Sequence, residues 1–199
     1  MRLGWTKLWP LASALALSIL AMGSAAGAQN HGSSAPTNEL TLAGLRPGAS
    51  TLADAERRFG IKNRDTQAET DDIKQWGESC TGRSLRLEVD ENSVIQIVTV
   101  SSLGPRAADC AQKAPSNGPL TPEKLKAGQG LALGQMKKRV IALYGEPDSL
   151  VPATFEGQEF EMLYYAFDWA GSDVPQVMEV TCERDTGRVR KITLAFPSL

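Results

Sequence analysis

The stretches SLRLEV (84–89) and VIQIVTV (94–100), joined through Asp90-Glu91-Asn92-Ser93, decide how this chain is read. The same arrangement returns as VMEVTCE (177–183), a turn at Asp185-Thr186-Gly187, and RVRKITLAF (188–196). In the first pair Leu85, Leu87 and Val89 alternate with Arg86 and Glu88. In the second, Met178, Val180 and Cys182 alternate with Glu179, Thr181 and Glu183, and then Ile192, Leu194 and Phe196 alternate in the returning strand. Alternation with period two sets one face of a strand on a core and leaves the other wet. Each pair predicts an antiparallel hairpin.

Working outward, each hairpin is preceded by an aromatic strand and a short helix. Ahead of the first stand a weak strand, Ile73 to Gly77 around Trp76, and LAGLRPGASTLADAERRFG (42–60). Thr51 three residues before Asp54 is a capping-box pattern; Leu52, Ala55 and Phe59 follow at helical spacing and Gly60 closes the helix. Ahead of the second stand EFEMLYYAF (159–167), a strong strand, and LALGQMKKRVIALYG (131–145). There Leu133, Met136, Val140 and Leu143 share a helical face, Gly145 closes it, and Pro147 prevents continuation. Gly48 and Gly60 match Gly134 and Gly145, and the hairpin Leu85 to Val94 has the length of Val180 to Val189.

This self-similarity predicts an α+β fold of two tandem helix-plus-antiparallel-sheet (αβββ) repeats. The first repeat is placed at 40–105 and the second at 128–199. A connector at 106–127, with Pro115, Pro119 and Pro122 among polar residues, joins them.

The carriers Gly48, Gly60, Trp76, Leu87, Val94 and Ile97, then Gly134, Gly145, Pro147, Tyr165, Val189 and Ile192, resemble the repeat of the SmpA/OmlA (BamE-like) envelope proteins. Their tandem arrangement resembles the β-lactamase inhibitor protein family (BLIP-like). Nearly the whole chain after the leader is covered. The resemblance implies a sheet that binds protein without catalysis, in an assembly or scaffold role of the BamE-like kind; the alternative it offers is a secreted inhibitor of a hydrolase. The chain departs from both families. It lacks the anchoring cysteine of the first and has two units where that family has one, and three cysteines allow only one bridge where the second uses one per repeat.

The N-terminus predicts export. Arg2 and Lys7 are the only charges before Glu39, Leu8 to Leu20 is apolar, and Gly23 to Ala28 ends in an Ala-x-Ala pattern. Residues 1–28 read as a Sec-type signal peptide cleaved after Ala28, and the polar 29–39 as a disordered leader. The run is short for a span and interrupted by Pro10, so the mature protein is expected without an integral membrane span, periplasmic or secreted. Loss of Arg2 and Lys7 leaves 19 Lys+Arg against 23 Asp+Glu. A mildly acidic, mixed surface argues against nucleic acid, whose affinity rests on phosphate neutralisation. The expected partner is an envelope or secreted protein.

An oxidising compartment makes a disulfide the natural use of cysteine. Cys80 and Cys110 lie in polar, loop-like stretches and are expected to pair, leaving Cys182 free and buried in its strand. A metal site is the rival reading, which no Cys-x-x-Cys spacing supports. His31, the only histidine, lies in the leader, which argues against triads and His-based zinc sites. No cofactor is expected. Glu69, Asp71 and Asp72 are the acids a carboxylate enzyme would use, and they read as a solvated loop. The aromatics Trp76, Tyr164, Tyr165 and Trp169 are the candidate interface, with Tyr164 and Tyr165 on opposite faces of one strand.

Overall fold

Thr51 leaves the coil because its side chain can serve the backbone ahead of it. In the computed structural model, which describes residues 37–61, 72–104 and 119–196, the Thr51 hydroxyl accepts from the Asp54 amide at 3.3 Å. In return the Asp54 carboxylate accepts from the Thr51 amide at 2.8 Å. This reciprocal cap opens α1 (Leu52–Phe59), which buries Ala55 and Phe59. Gly60 ends it at φ +67°, a conformation that a Cβ resists. The Thr51 hydrogen bonds hold the Asp54 carboxyl below its ordinary range, with Arg57 adding to the effect. Thr51→Ala should lower stability by about 1 kcal/mol, read as a lower urea midpoint at unchanged slope. No measurable change would mean that the backbone bridge of Thr51 to Val94, rather than the cap, holds the helix start.

The second helix, α2 (Lys137–Tyr144), has no side-chain cap. Its entry is fixed from outside: Lys137 N donates to Gly187 O at 2.7 Å, and Val189 N to Gln135 O at 2.8 Å. Met136 is thereby drawn into an extended bridge with Arg188. The helical face read as Leu133, Met136, Val140 and Leu143 is shifted accordingly. The helix begins after Met136, and its buried residues are Val140 and Tyr144.

The described residues also hold seven strands: β1 (Ile73–Glu78), β2 (Arg83–Val89), β3 (Ile95–Ser101), β4 (Ser149–Phe155), β5 (Gln158–Ala166), β6 (Val177–Glu183) and β7 (Val189–Ala195). They form one antiparallel sheet in the order β1-β2-β3-β7-β6-β5-β4. This corrects the expected α+β fold of two tandem αβββ repeats. The chain is β-dominated; its described residues hold two α-helices of eight residues each, four strands after α2, and a single continuous sheet. The reason lies in β3 and β7. Each was expected to end its own unit, and instead they pair with each other from Ile97↔Ala195 to Ser101↔Lys191. Two separate sheets would each leave a long unpaired edge there, and joining them removes both. Helices of two turns are too short to form a layer of their own.

One row of side chains crosses the whole sheet in register: Trp76, Leu85, Val100, Ile192, Val180, Leu163 and Leu150. All but Leu150 are buried, on the face that also receives α1 and α2 residues such as Phe59, Val140 and Tyr144. Leu42, Leu45, Leu120, Leu125 and Leu131 complete the same core from loops. The described residues form one compact unit. Among the described residues no helix is long and apolar enough to cross a membrane.

Candidate binding face

The adjacent row, one residue along each strand, faces the other way: Gln75, Arg86, Thr99, Thr193, Glu179, Tyr164 and Ser149. Among the described residues no helix covers this side. The sheet's face here is a concavity of about 790 Å³, floored by Arg86, Thr99, Thr193, Glu179 and Lys191 and bordered by Phe155 and Glu156 at the tip of the β4–β5 hairpin. At its centre the Thr99 and Thr193 hydroxyls share a hydrogen bond of 3.1 Å across the β3–β7 junction. Arg86 and Glu88 pair at 3.1 Å along β2. Both side chains are partly exposed, so this pair adds little to stability and leaves part of each charge accessible to a partner. Ile97 and Ala195 are buried on this side without joining the main core. The result is a hydrogen-bonded, half-buried polar floor with an apolar, aromatic rim.

No protein-family profile matches the chain, and no curated protein matches it. Among solved structures it is similar to a DUF4309 family protein (YjgB) from Bacillus subtilis, with a TM-score of 0.41 and 12% identity over 80% of this chain and 88% of that one. It is also similar to a cysteine-rich secretory protein from Staphylococcus aureus, with a TM-score of 0.35 and 10% identity. That match covers 81% of this chain and 47% of the other, so this chain spans about half its length. Both likenesses are too slight to assign a function.

The four candidate interface aromatics separate. Trp76 (4% exposed) and Tyr165 (2%) are core residues, and the Tyr165 hydroxyl donates to the Gly145 carbonyl at 3.1 Å. Burial pushes that hydroxyl well above its ordinary range, the nearby Glu146 carboxylate adding to it. Tyr164 is half-buried and lines the concavity. Trp169 is 51% exposed in the single turn Asp168–Ala170 after β5, edge-on to Phe167 with ring centroids 6.3 Å apart. It lies beyond the strand's end and does not line the concavity. The interface candidates that remain accessible are therefore Tyr164 on the open face and Trp169 in the turn after β5.

Cys80 is disulfide-bonded, Cys182 is a free, buried thiol, and Cys110 lies outside the described residues. Burial pushes the Cys182 thiol up to about 11, against a smaller lowering by Lys137. Glu69 and Asp71 also lie outside the described residues, while Asp72 directly precedes β1. Among the described residues no group of three or more His, Cys, Asp or Glu is placed to hold a metal ion.

Two features were not read from sequence. Phe155 and Glu156, which border the concavity, belong to β4 and its turn; the signal was the Glu156-Gly157 pair between two apolar-containing runs, masked by Pro152. Glu39, assigned to the leader, is 2% exposed. Its carboxylate accepts from the amides of Leu40 (2.8 Å), Thr41 (3.1 Å) and Gln129 (3.0 Å) and from the Tyr144 hydroxyl (2.7 Å). A Cβ at position 128 would stand 2.6 Å from Thr41 Oγ1 and 2.7 Å from Glu39 Oε1, so glycine is required beside this anchor. Burial, and then the Glu39 charge, raise the Tyr144 hydroxyl far above its ordinary range.

Proposed function

We propose that the chain is an exported, non-enzymatic protein-binding module of the cell envelope, periplasmic or secreted after cleavage behind Ala28. Its role in this reading is assembly or scaffolding of the SmpA/OmlA (BamE-like) kind. The observation that supports it is the uncovered concave face. Seven hydrogen-bonded strands hold its side chains on a rigid backbone, so a partner meets a preorganised surface and loses less ordering entropy on binding. The floor supplies hydroxyls, charges and Tyr164, and the rim supplies exposed apolar area, the mixture found at protein interfaces. A second reading, a BLIP-like inhibitor of a secreted hydrolase, draws on the same concavity.

The test is cross-linked capture from native envelope extract, using protein from Gln29 onward with its disulfide intact. A Thr99→Arg/Tyr164→Ala variant serves as control, since the arginine would fill the centre of the face. Outer-membrane assembly components recovered only with the native face support the scaffold reading. A specific hydrolase supports the inhibitor. Equal recovery with the variant would remove the concave face from the argument and the binding-module reading with it.

A further inference from the structure

Strand β4 gains almost nothing from its own fold beyond its ladder with β5. Among the described residues it is the last strand of the sheet, and all seven of its residues are exposed, including Leu150 (48%), Val151 (42%) and Phe155 (46%). A row of apolar side chains on an unpaired edge is a template for a further strand. We infer that the free edge of β4 adds a strand from a partner protein, an extended segment in which basic and apolar residues alternate. This rests on the protein-binding reading above and names the partner's chemistry and its place of entry.

The backbone is arranged for such an addition. Glu156 and Gly157, at φ +50° and +78°, form a two-residue turn whose twist suits a tight hairpin, closing on the Phe155↔Gln158 pair. Backbone groups alternate in direction along an antiparallel strand, so those of Leu150, Pro152 and Thr154 turn away from β5. Pro152 therefore stands where its missing N–H takes nothing from the β4–β5 ladder. The outward edge keeps the N–H groups of Leu150 and Thr154 and all three carbonyls. An incoming strand loses one hydrogen bond to Pro152.

Charge selects the occupant. From Gly145 to Glu183 the chain carries nine acids and no Lys, Arg or His. Glu159 and Glu161 are paired with Arg184 and Lys137, whereas Glu146 and Glu156, at the two ends of β4, form no ion pair among the described residues. A second copy of this edge would bring the same acids and a second proline, so self-pairing is opposed twice. A basic segment meets the field with the right sign, and its apolar residues on one face fall beside Val151 and Phe155 on the concave side.

The test pans the disulfide-intact protein against a phage-displayed library of random linear peptides, then measures enriched peptides by fluorescence anisotropy. Peptides alternating Lys or Arg with apolar residues are expected, with affinity that falls as salt rises. Leu150→Pro/Thr154→Pro removes both outward N–H groups, together with the Leu150 side chain, and should weaken binding by at least about tenfold, each hydrogen bond being worth about 1 kcal/mol. Glu146→Lys/Glu156→Lys, which changes two exposed side chains, should do the same, with circular dichroism and the urea midpoint confirming that the fold is kept. No enrichment, enrichment of acidic or patternless peptides, or binding unchanged in the charge-reversed variant would overturn the proposal. Envelope capture that needs Thr99 and Tyr164 but ignores both β4 variants would also overturn it, while leaving the binding-module reading intact.

Discussion

Glu39→Ala should lower the stability of the folded unit by about 4 kcal/mol, because each buried donor left without its acceptor costs about 1–3 kcal/mol and water can rescue only some of them. The carboxylate serves four donors from three parts of the chain: its own strap, the Gln129 loop and α2. In a unit of this size the thermal midpoint should fall by about 10 °C. Glu39→Gln keeps one acceptor oxygen but points an amide NH2 at existing donors, so an intermediate loss is expected. Tyr144→Phe removes one donor and should cost about 1.5 kcal/mol. Made together, Glu39→Ala and Tyr144→Phe should be less damaging than their sum, since the second change deletes a donor that the first orphaned. Chemical denaturation of the four proteins decides the matter. If Glu39→Ala stays within about 0.5 kcal/mol of the parent, the range expected of a surface substitution, the strap is not part of the fold and the leader extends through residue 39.

That anchor marks where sequence reading stops. Glu39 sits in a polar stretch without periodicity, and the partners that make it an anchor, Gln129 and Tyr144, lie 90 and 105 residues away, so nothing local announced it. The strands with alternating patterns, β2, β3, β6 and β7, were legible because one wet face imposes period two on side chains. Their pairing was not. The β3–β7 ladder is made of backbone groups, and a side-chain pattern that suits two separate sheets suits one joined sheet equally well. β4 was missed for the opposite reason: it buries nothing, so no periodicity records it, and Pro152 argues against a central strand. At β5 the alternation required one of Tyr164 and Tyr165 to face outward, and one does. Which one was ambiguous, since Phe160, Met162 and Tyr164 are as apolar as Leu163, Tyr165 and Phe167. The open face itself left a trace only as the polar half of each alternating strand, Arg86, Glu88, Thr99, Glu179 and Thr193, which reads the same whether it meets water or a partner.

Raising the pH above 9 should destabilise the protein more steeply than its surface charges alone would require. Burial lifts the Cys182 thiol from an ordinary 9.0 to about 11, and it lifts the Tyr144 and Tyr165 hydroxyls above their ordinary 10.0. Each group therefore keeps its proton in the folded state at a pH where the unfolded chain has released it. Where the native state binds more protons than the unfolded one, stability falls as pH rises. The contribution of Cys182 is complete below pH 9, shrinks through the interval from 9 to about 11, and is gone above it. A thiol raised that far contributes about 3 kcal/mol, and the two tyrosines steepen the loss from pH 10 upward. Urea titrations across this range should show a flat stability to about pH 9 and a steep fall beyond. Cys182→Val, which removes the thiol and keeps the site apolar, should move the onset from about pH 9 to about pH 10, where the tyrosines take over. The absorbance of thiolate in the folded parent gives an independent reading, and its midpoint should stand near 11. A thiol that titrates near its ordinary value, or an onset that Cys182→Val leaves unmoved, would mean that the strand opens to water at Cys182 and that the core beneath β6 is looser than its buried side chains imply.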